Sequence, residues 1–586
     1  MISLTATLTR LVGDAFAAEG LARELGLVQI SDRPDLAPFQ CNGALVAGKV
    51  AKINPRALAE KIAARLSADP TVSKVEIAGP GFLNLDVADE ILARGLGDLA
   101  RDARLGAPDT GAGKTVVIDF GGPNVAKPMH VGHLRSSIIG DCLQRLYRAN
   151  GWTVVSDVHL GDWGLQMGQM ISEVELEGRA PIYFDPNIAG PYPDEAPVTM
   201  EELEMLYPRA SAACKADPAR LEAARRATAD LQAGRTGYRA LWRHFVKVSE
   251  EGLSREFASL GVTFDLWKGE SSVDALIPPM IEDLKARGLA RESEGALVVE
   301  VAREDDKKPL PPLILVKSEG GVLYGTTDLA TIVERVRAQN PALILYVVDH
   351  RQHGHFEQVF RAAQLAGFAG QAELEHVGYG TMNGPDGRPF KTRAGGVMKL
   401  HDLIAMATAE AEKRLVEQGI GADYSVAERT EIARKVGIAT IKFADLSHQR
   451  TTDYIFDLER FSTFEGKTGP YLQYAAVRIQ SILRKAGNPV HGINTILHSS
   501  EERALALQLL ALTDVLAVAE DKRAPHMLCD YAFELAQRFN RFYTAHHILS
   551  ESDEGLKAAR LSLCGLVLAV LTKVLDLLGI EVPARM

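Results

Sequence analysis

Residues 114–160 read KTVVIDFGGPNVAKPMHVGHLRSSIIGDCLQRLYRANGWTVVSDVHL, and the architecture of the chain is clearest here. The β-branched run 114–120 predicts a buried strand. The apolar spacing from His130 to Asn150 predicts a helix, with Gly151 as its stop. The run 153–160 predicts a second strand. A strand, a helix and a strand in this order open a doubly wound, Rossmann-like parallel sheet, so we expect an α/β core.

The rest of the chain is predicted to form further domains on both sides of this unit. Residues 1–90 predict a small α+β domain, in which helix PRALAEKIAARL precedes the short strands VSKVEIA and GFLNLDV. A connector spans 91–113, and the α/β domain spans 114–400 with a charged helical insertion at about 172–245. The runs ALVVEVA, PLILVK and ALILYVV are expected to return to its sheet. Residues 401–464 predict a helical junction, and 465–586 predict an all-helical domain.

Composition excludes several classes of protein. The chain has 586 residues, 46% of them apolar and 24% charged, with a net charge of −11. These values argue against disorder, a collagen-like repeat or a protein that coats nucleic acid by charge alone. The five cysteines are far apart, which makes a disulfide framework or a cysteine-based zinc site unexpected. The most apolar run, Leu561–Thr572, is shorter than the roughly 18 residues that a membrane span needs, and the N-terminus lacks the features of a signal peptide. We expect a cytoplasmic protein that does not bind membranes.

The sharpest motif is His130-Val-Gly-His133 at the predicted junction of strand and helix. Histidines at i and i+3 on a helix project to the same side. Free backbone N–H groups and the helix dipole at this end would suit a polyphosphate. Gly132 lacks a side chain, so a flat base could lie against the backbone. The alternative is a pair of surface histidines without function, but the placement after an apolar strand and a loop favours nucleotide binding.

The same residues resemble the "HIGH" signature of class I aminoacyl-tRNA synthetases. More narrowly, the sequence resembles the arginyl-tRNA synthetase family. The likeness covers essentially the whole chain, and it is carried by these stretches: QCNGAL, GPGFLNL, DFGGPNVAKPMHVGHLRSSIIGD, GDWGLQMG, YGTTDLA, GPYLQYAAVRI and the terminal VPARM. The resemblance implies ATP-dependent ligation of L-arginine to tRNA(Arg) through an arginyl-adenylate, with release of pyrophosphate and AMP.

The chain departs from class I enzymes at their second signature, the lysine-bearing "KMSKS" loop that grips ATP phosphates. The corresponding segment is Lys391-Thr392-Arg393-Ala394-Gly395, so the first lysine is kept and the second is absent. The resemblance implies that Lys127 substitutes, with Lys391 and Arg393 completing the ATP site beside His130, Gly132 and His133. A lysine acts as a point charge that can approach phosphates from either side. Without the resemblance, Lys391 would be interpreted as a solvated loop lysine.

Recognition of arginine requires carboxylates placed for forked contacts with a planar cation. Asp119 lies at the C-terminal end of the first predicted sheet strand, where doubly wound folds bind ligands. Asp328 follows Tyr324-Gly-Thr-Thr and is expected to begin a helix, so its alternative role is an N-cap. The residues that the resemblance assigns to the arginine pocket are Asp119, Asn124, Tyr324, Asp328 and Gln352.

The expected partners are tRNA(Arg), L-arginine and ATP, the last carrying Mg²⁺, with no zinc and no protein-bound metal. From Glu465 onward the chain has 13 basic and 13 acidic residues, so charge does not reveal an anticodon site. Aromatic residues could stack on bases, although most are expected in the core: Tyr471, Tyr474, Tyr531, Phe539, Phe542 and Tyr543. The resemblance favours Tyr543 and Met586 as anticodon contacts. It also implies an N-terminal domain that meets the tRNA elbow, a monomer, and arginine activation that requires tRNA.

Three rival functions remain open at this point. A cysteinyl-tRNA synthetase is disfavoured because its zinc-binding thiols are missing. A tRNA-binding paralogue without activity is disfavoured because both histidines, Lys127 and Lys391 are kept. A small nucleotidylyltransferase shares the H-x-G-H motif, but the chain is far too long for it.

Overall fold

The computed structural model describes residues 3–31, 33, 36–318, 321–388, 390, 398–487 and 497–586. Its N-terminal part packs helices on an antiparallel sheet in the order β1-β2-β4-β3. The elements are α1 (Leu4–Ala18), β1 (Val28–Ile30), β2 (Phe39–Cys41), α2 (Gly43–Ala51), α3 (Pro55–Leu66), β3 (Val72–Ala78), β4 (Phe82–Val87) and α4 (Asp89–Arg101). The predicted helix and both predicted strands are present. Strands β1 and β2 were not predicted, because three residues are too few to show the alternation of apolar and polar side chains that marks a strand.

The central part alternates strands and helices. Its elements are β5 (Thr115–Phe120), α5 (Val131–Ala149), β6 (Thr153–Asp157), α6 (Leu165–Leu176), α7 (Met200–Ala216), α8 (Pro218–Gln232), α9 (Thr236–Ser259), α10 (Ile277–Ala286), β7 (Ala290–Ser293), β8 (Ala296–Val299), β9 (Leu313–Val316), α11 (Tyr324–Gln339), β10 (Leu343–Val347), α12 (His353–Leu365), β11 (Glu373–His376) and β12 (Met382–Asn383). Strands β11, β10, β5 and β6 lie side by side, all parallel. The predicted strand–helix–strand unit and the α/β fold class are therefore confirmed.

Both faces of the parallel sheet are covered, as a doubly wound fold requires. Val116, Ile118 and Phe120 face the large core that contains the apolar residues of α5. Val117 faces a second core formed with α10, α11 and α12. Strand β6 lies on one side of β5 and β10 on the other, so the carboxyl end of β5 is a switch point in strand order, where such folds bind ligands.

One sequence expectation about the sheet is wrong. The runs ALVVEVA and PLILVK supply β8 and β9, but these strands pair with β7 in a separate antiparallel sheet. Of the three runs, only ALILYVV enters the central sheet, as β10. A short apolar run indicates a strand without indicating which sheet it joins.

The last part of the chain is mainly helical. Its elements are α13 (Leu400–Glu417), α14 (Val426–Leu446), β13 (Tyr454–Ile455), α15 (Leu458–Phe461), α16 (Gly469–Lys485), α17 (Ser500–Leu510), α18 (Leu512–Asp521), α19 (His526–Ala545) and α20 (Glu554–Leu577). Helix α20 runs past Lys573, where the sequence suggested that the apolar stretch stops. Within the described ranges it is the one helix long and apolar enough to cross a membrane, and 61% of its apolar window is buried in the fold, as in a core helix.

Candidate active site

The two signature histidines cap the start of α5. His130 is the N-cap residue, and its Nδ1 accepts a hydrogen bond from the backbone N–H of Gly132 at 3.0 Å. His133 reaches back, and its Nδ1 accepts from the backbone N–H of His130 at 3.2 Å. The two rings stack with their centroids 4.0 Å apart. The arrangement is a capping box made with imidazoles.

Burial and nearby charges determine whether the two rings are protonated, and the hydrogen bonds determine which ring nitrogen carries the proton. Burial, the other histidine and the charge of Lys127 lower the pKa of His133 to about 3. Burial and Lys127 also lower the pKa of His130. Both rings are therefore neutral at pH 7, and because each Nδ1 is an acceptor, the single ring proton lies on Nε2. The pair presents two Nε2–H donors, which suit the oxygens of an anion.

The helix end differs from the expectation of free backbone donors. The N–H of Gly132 is used by His130, and the N–H of Val131 donates to Met398 O at 3.0 Å. The imidazole nitrogens thus replace these backbone groups as donors. Gly132 also has a different reason to be glycine, since a Cβ there would lie 2.7 Å from Cε1 of His130. Its missing side chain makes room for the folded imidazole.

Lys127 lies close to both histidines, as its effect on their pKa values indicates. Its Nζ lies 4.5 Å from the ring centroid of Tyr207 on α7, a cation–π contact. The other two predicted phosphate ligands, Lys391 and Arg393, lie outside the described residues.

Asp119 is the penultimate residue of β5 and is buried on the side of the sheet that faces α11. Its Oδ2 accepts from Nη2 of Arg335 at 2.6 Å, and the same nitrogen donates to Oδ2 of Asp157 at 2.8 Å. Arg335 lies seven residues after Asp328, two turns along one face of α11. The predicted arginine-binding carboxylate is therefore already paired with a guanidinium of the protein itself.

Asn124 lies where the loop after β5 meets the loop after β6. Its backbone forms a bridge with Gly161, and its Oδ1 accepts from Nε2 of Gln166 at 3.4 Å. A Cβ at Gly161 would lie 2.5 Å from Oδ1 of Asn124. The glycine allows this close approach, which brings the HIGH-like and GDWG segments together.

Tyr324 and Asp328 lie on the first two turns of α11. The helix begins at Tyr324 with Leu323 as its N-cap residue, so the alternative that Asp328 is an N-cap is excluded. Asp328 Oδ2 instead lies 2.5 Å from Nε2 of His355 on α12, and the ring of His355 lies 4.5 Å from that of Tyr324. Gln352 is exposed at the N-cap of the same helix, one turn before His355. Sequence reasoning missed His355, although its position three residues after Gln352 was a usable signal.

Glu270 is a second residue that sequence reasoning missed. It follows Gly269, where a Cβ would lie 2.6 Å from the carboxylate of Asp162. Burial raises the pKa of Glu270 to about 7; the charge of His159 opposes this shift, and Asp162 and Asp328 add to it. Asp162 is held by Ser271, whose N–H and Oγ donate to it at 2.9 and 2.5 Å. A half-buried carboxyl group with a pKa near neutrality, close to Asp328, is a candidate for binding a cation.

Tyr543 and Met586 lie near one cavity in the helical region, with a volume of about 880 Å³. Arg478, which lines it, stacks 4.8 Å from the ring centroid of Tyr543. Met586 packs against a small apolar cluster together with Ile420 and Phe464, which also line the cavity. Most of the aromatic residues in this region were expected in the core, and Tyr531, Phe539 and Phe542 are indeed buried. Tyr474 is 40% exposed and lines the cavity together with Tyr471.

Comparisons with known proteins agree along the whole chain. Residues 3–87 match the "Arginyl tRNA synthetase N terminal domain", 97–458 match "tRNA synthetases class I (R), catalytic domain", and 472–586 match "DALR anticodon binding domain". The chain is 56% identical to an arginine–tRNA ligase of Maricaulis maris and 53% identical to one of Hyphomonas neptunium, and each match covers 100% of both chains. Its fold is similar to that of the arginyl-tRNA synthetase of Plasmodium falciparum, with a TM-score of 0.85 at 23% identity over 100% of both chains.

Proposed function

The chain belongs to the arginyl-tRNA synthetase family, and from that premise we propose how its residues perform the ligation. It is an arginine–tRNA ligase: L-arginine, ATP and tRNA(Arg) are its substrates. The observation that carries this assignment is the match with arginine–tRNA ligases over the entire chain. A neutral, donor-bearing histidine pair at the carboxyl edge of a parallel sheet supports the same function.

The reaction has two steps. The carboxylate of arginine attacks the α-phosphorus of ATP, and the bond to the β-phosphate oxygen breaks with its electron pair leaving on pyrophosphate. A ribose hydroxyl of the terminal tRNA nucleotide then attacks the carbonyl carbon of the adenylate. The bond from this carbon to the phosphate oxygen breaks, its electron pair leaves on AMP, and the phosphate of AMP takes the hydroxyl proton. Neither step requires a nucleophile from the protein, so catalysis depends on positioning and on stabilising charge.

We assign the phosphate contacts to the histidine pair and nearby cations. The Nε2–H groups of His130 and His133 donate to phosphate oxygens, and Lys127 moves from Tyr207 to neutralise developing charge. Lys391 and Arg393 complete the ATP site, and Gly132 leaves the space that the folded ring of His130 occupies. The neutral state of both rings supports this assignment, because they donate without a protonation step.

Mg²⁺ is proposed to arrive on the triphosphate. The groups proposed to contact the phosphates are imidazoles, ammonium groups and a guanidinium, which are poor ligands for this cation. Across the residues with described placement, no group of three or more His, Cys, Asp or Glu side chains could hold a metal ion. We also propose that the enzyme carries no zinc, because its five cysteines are far apart in the sequence and form no C-x-x-C pair.

The arginine pocket is proposed to lie between the end of β5 and the starts of α11 and α12. Its members are Asp119, Asn124, Tyr324, Asp328 and Gln352, to which the structure adds Glu270. Asp328 and Glu270 are the proposed guanidinium acceptors, because Asp119 is engaged by Arg335. The substrate would displace His355 from Asp328, and a forked contact to two carboxylates discriminates against lysine.

The tRNA is proposed to contact both ends of the chain, with residues 1–90 at its elbow and 465–586 at its anticodon. Tyr543 and Met586 are the proposed anticodon contacts. Arg478, which lines the cavity, stacks on Tyr543, and Met586 packs against the same apolar cluster as two other lining residues, Ile420 and Phe464. We also propose that the enzyme is a cytoplasmic monomer and that arginine activation requires tRNA. Arginine-dependent pyrophosphate–ATP exchange in the absence of tRNA would contradict the last point.

The test of function is tRNA-dependent attachment of each of the twenty labelled amino acids. We expect attachment of arginine alone, dependent on ATP. Attachment of cysteine would favour the cysteinyl alternative. Binding of tRNA without charging by any amino acid would favour a paralogue that has lost activity.

A further inference from the structure

Lys399 lies directly beside the histidine pair. The backbone of Met398–Leu400 pairs with that of Met129–Val131: Val131 N–H donates to Met398 O, and Leu400 N–H donates to Met129 O, both at 3.0 Å. His130 and Lys399 are the opposed residues of this antiparallel bridge. Side chains of opposed residues leave the same face of a strand pair from Cα atoms about 5 Å apart. The Lys399 side chain therefore starts on the face that carries the His130 ring.

The insertion holds both lysines that flank the histidines. Lys399 Nζ donates to Oε2 of Glu204 at 2.7 Å, and Lys127 Nζ lies over the ring of Tyr207 at 4.5 Å. Glu204 and Tyr207 are three residues apart on α7, so they share one face of that helix. One helix face thus retains two cations beside a proposed phosphate site.

These contacts are weak enough to be exchanged. The side chain of Lys399 is 43% exposed and that of Glu204 is 24% exposed, and an ion pair with this much access to solvent stabilises a protein only slightly. A second carboxylate, that of Glu256, also lies near Lys399. It already accepts a hydrogen bond at 2.8 Å from the backbone N–H of Met129, the residue that precedes His130. A triphosphate offers several charged oxygens, and charge-assisted bonds to them are stronger than a partly solvated carboxylate contact.

We propose that Lys399 is a phosphate-binding residue that leaves Glu204 to contact the β- and γ-phosphates of ATP. The proposal rests on the proposed function, because it concerns the same ATP site. Lys399 supplies a positive charge that the signature loop lacks at Ala394 in the sequence. On helix α7, Lys399 has a carboxylate partner and Lys127 an aromatic one, so each cation is compensated before the anion arrives.

The test compares Lys399→Met with Glu204→Gln, since both remove the same ion pair and only the first removes the cation. Pyrophosphate–ATP exchange is measured with saturating tRNA, as KM for ATP, for pyrophosphate and for arginine. Lys399→Met is expected to raise KM for ATP and pyrophosphate roughly tenfold or more, with KM for arginine within about twofold. Lys399→Arg should restore most of the affinity, and Glu204→Gln should leave KM for ATP unchanged or lower.

Lys413→Met is the matched control, because Lys413 is an exposed lysine of α13 paired with Glu410. Unchanged ATP and pyrophosphate parameters in Lys399→Met would overturn the proposal. So would a Glu204→Gln variant that reproduces the defect, since the ion pair alone would then explain it. A wild-type enzyme that charges no arginine would instead overturn the proposed function, so the two failures are distinguishable.

Discussion

Arg335 Nη2 lies 2.6 Å from Oδ2 of Asp119 and 2.8 Å from Oδ2 of Asp157, so one buried guanidinium joins the ends of β5 and β6. The side chains of Arg335 and Asp157 are 3% and 2% exposed. The pairing fixes Asp119 at the edge of the proposed arginine pocket. Because Arg335 already occupies the Asp119 carboxylate, the substrate cation is better placed at Asp328 and Glu270.

Arg335→Met is expected to lower the free energy of unfolding by about 3–5 kcal/mol, because two buried carboxylates lose their counter-charge. Urea unfolding at pH 7.5 measures this loss. The loss of unfolding free energy should become smaller as the pH falls, since protonation of Asp119 or Asp157 relieves the repulsion between the two carboxylates. Arg287→Met, which removes an exposed pair with Asp283, is the control and should cost about 1 kcal/mol or less. Equally small losses of unfolding free energy in the two variants would contradict the expectation that removing Arg335 leaves two buried carboxylates without a counter-charge.

The secondary structure that depends only on residues close together along the chain could be predicted from the sequence. The β-branched run 114–120 and the helix stopped by Gly151 are local patterns, and both are present in the structure. Sheet membership is not local, so β8 and β9 were assigned to the wrong sheet. Asp119 and Arg335 are 216 residues apart, and no pattern in one sequence joins them.

The candidate site divides in the same way. His130 and His133 could be identified because their spacing and position in the helix carry the chemistry. Glu270 could not, since its pKa arises from burial and from Asp162 and Asp328, which lie elsewhere in the sequence. The backbone N–H groups at the start of α5 were expected to be free, but folding satisfies them with His130 and Met398.

His130→Asn is expected to separate the capping role of His130 from its phosphate role. The Asn side-chain oxygen can accept from the N–H of Gly132 as Nδ1 does, and Asn is a favoured N-cap residue, so stability should change by about 1 kcal/mol or less. The Nε2–H donor is lost, so the rate of pyrophosphate–ATP exchange should fall roughly a hundredfold. Thermal unfolding and exchange are measured on the same preparation, with His130→Ala as the variant that loses both roles. Exchange at the wild-type rate in His130→Asn would remove His130 from the phosphate site.

Lys127→Met is expected to lower the rate of arginyl-adenylate formation by about a hundredfold at saturating arginine and ATP, because one charge facing the phosphates is lost. The KM for arginine should change little. Lys114→Met is a matched control, since Lys114 also stacks on an aromatic ring, at 5.2 Å from that of Trp152. An unchanged activation rate in Lys127→Met would show that Lys127 does not replace the missing second lysine of the signature loop.

Glu270 is expected to make arginine binding depend on pH near neutrality. Burial raises its pKa from an ordinary 4.5 to about 7, so the side chain is mostly neutral at pH 6 and mostly ionised at pH 8. Only the ionised form pairs with a guanidinium, so the KM for arginine should fall about tenfold as the pH rises from 6 to 8. Glu270→Gln should raise this KM and remove most of its pH dependence. Asp328→Asn should raise it and keep a dependence whose midpoint lies at lower pH, because the charge of Asp328 no longer raises the pKa of Glu270. Arginine-dependent exchange measured at half-unit steps of pH tests both outcomes; the same slope in Glu270→Gln as in the wild type would assign the titration to another group.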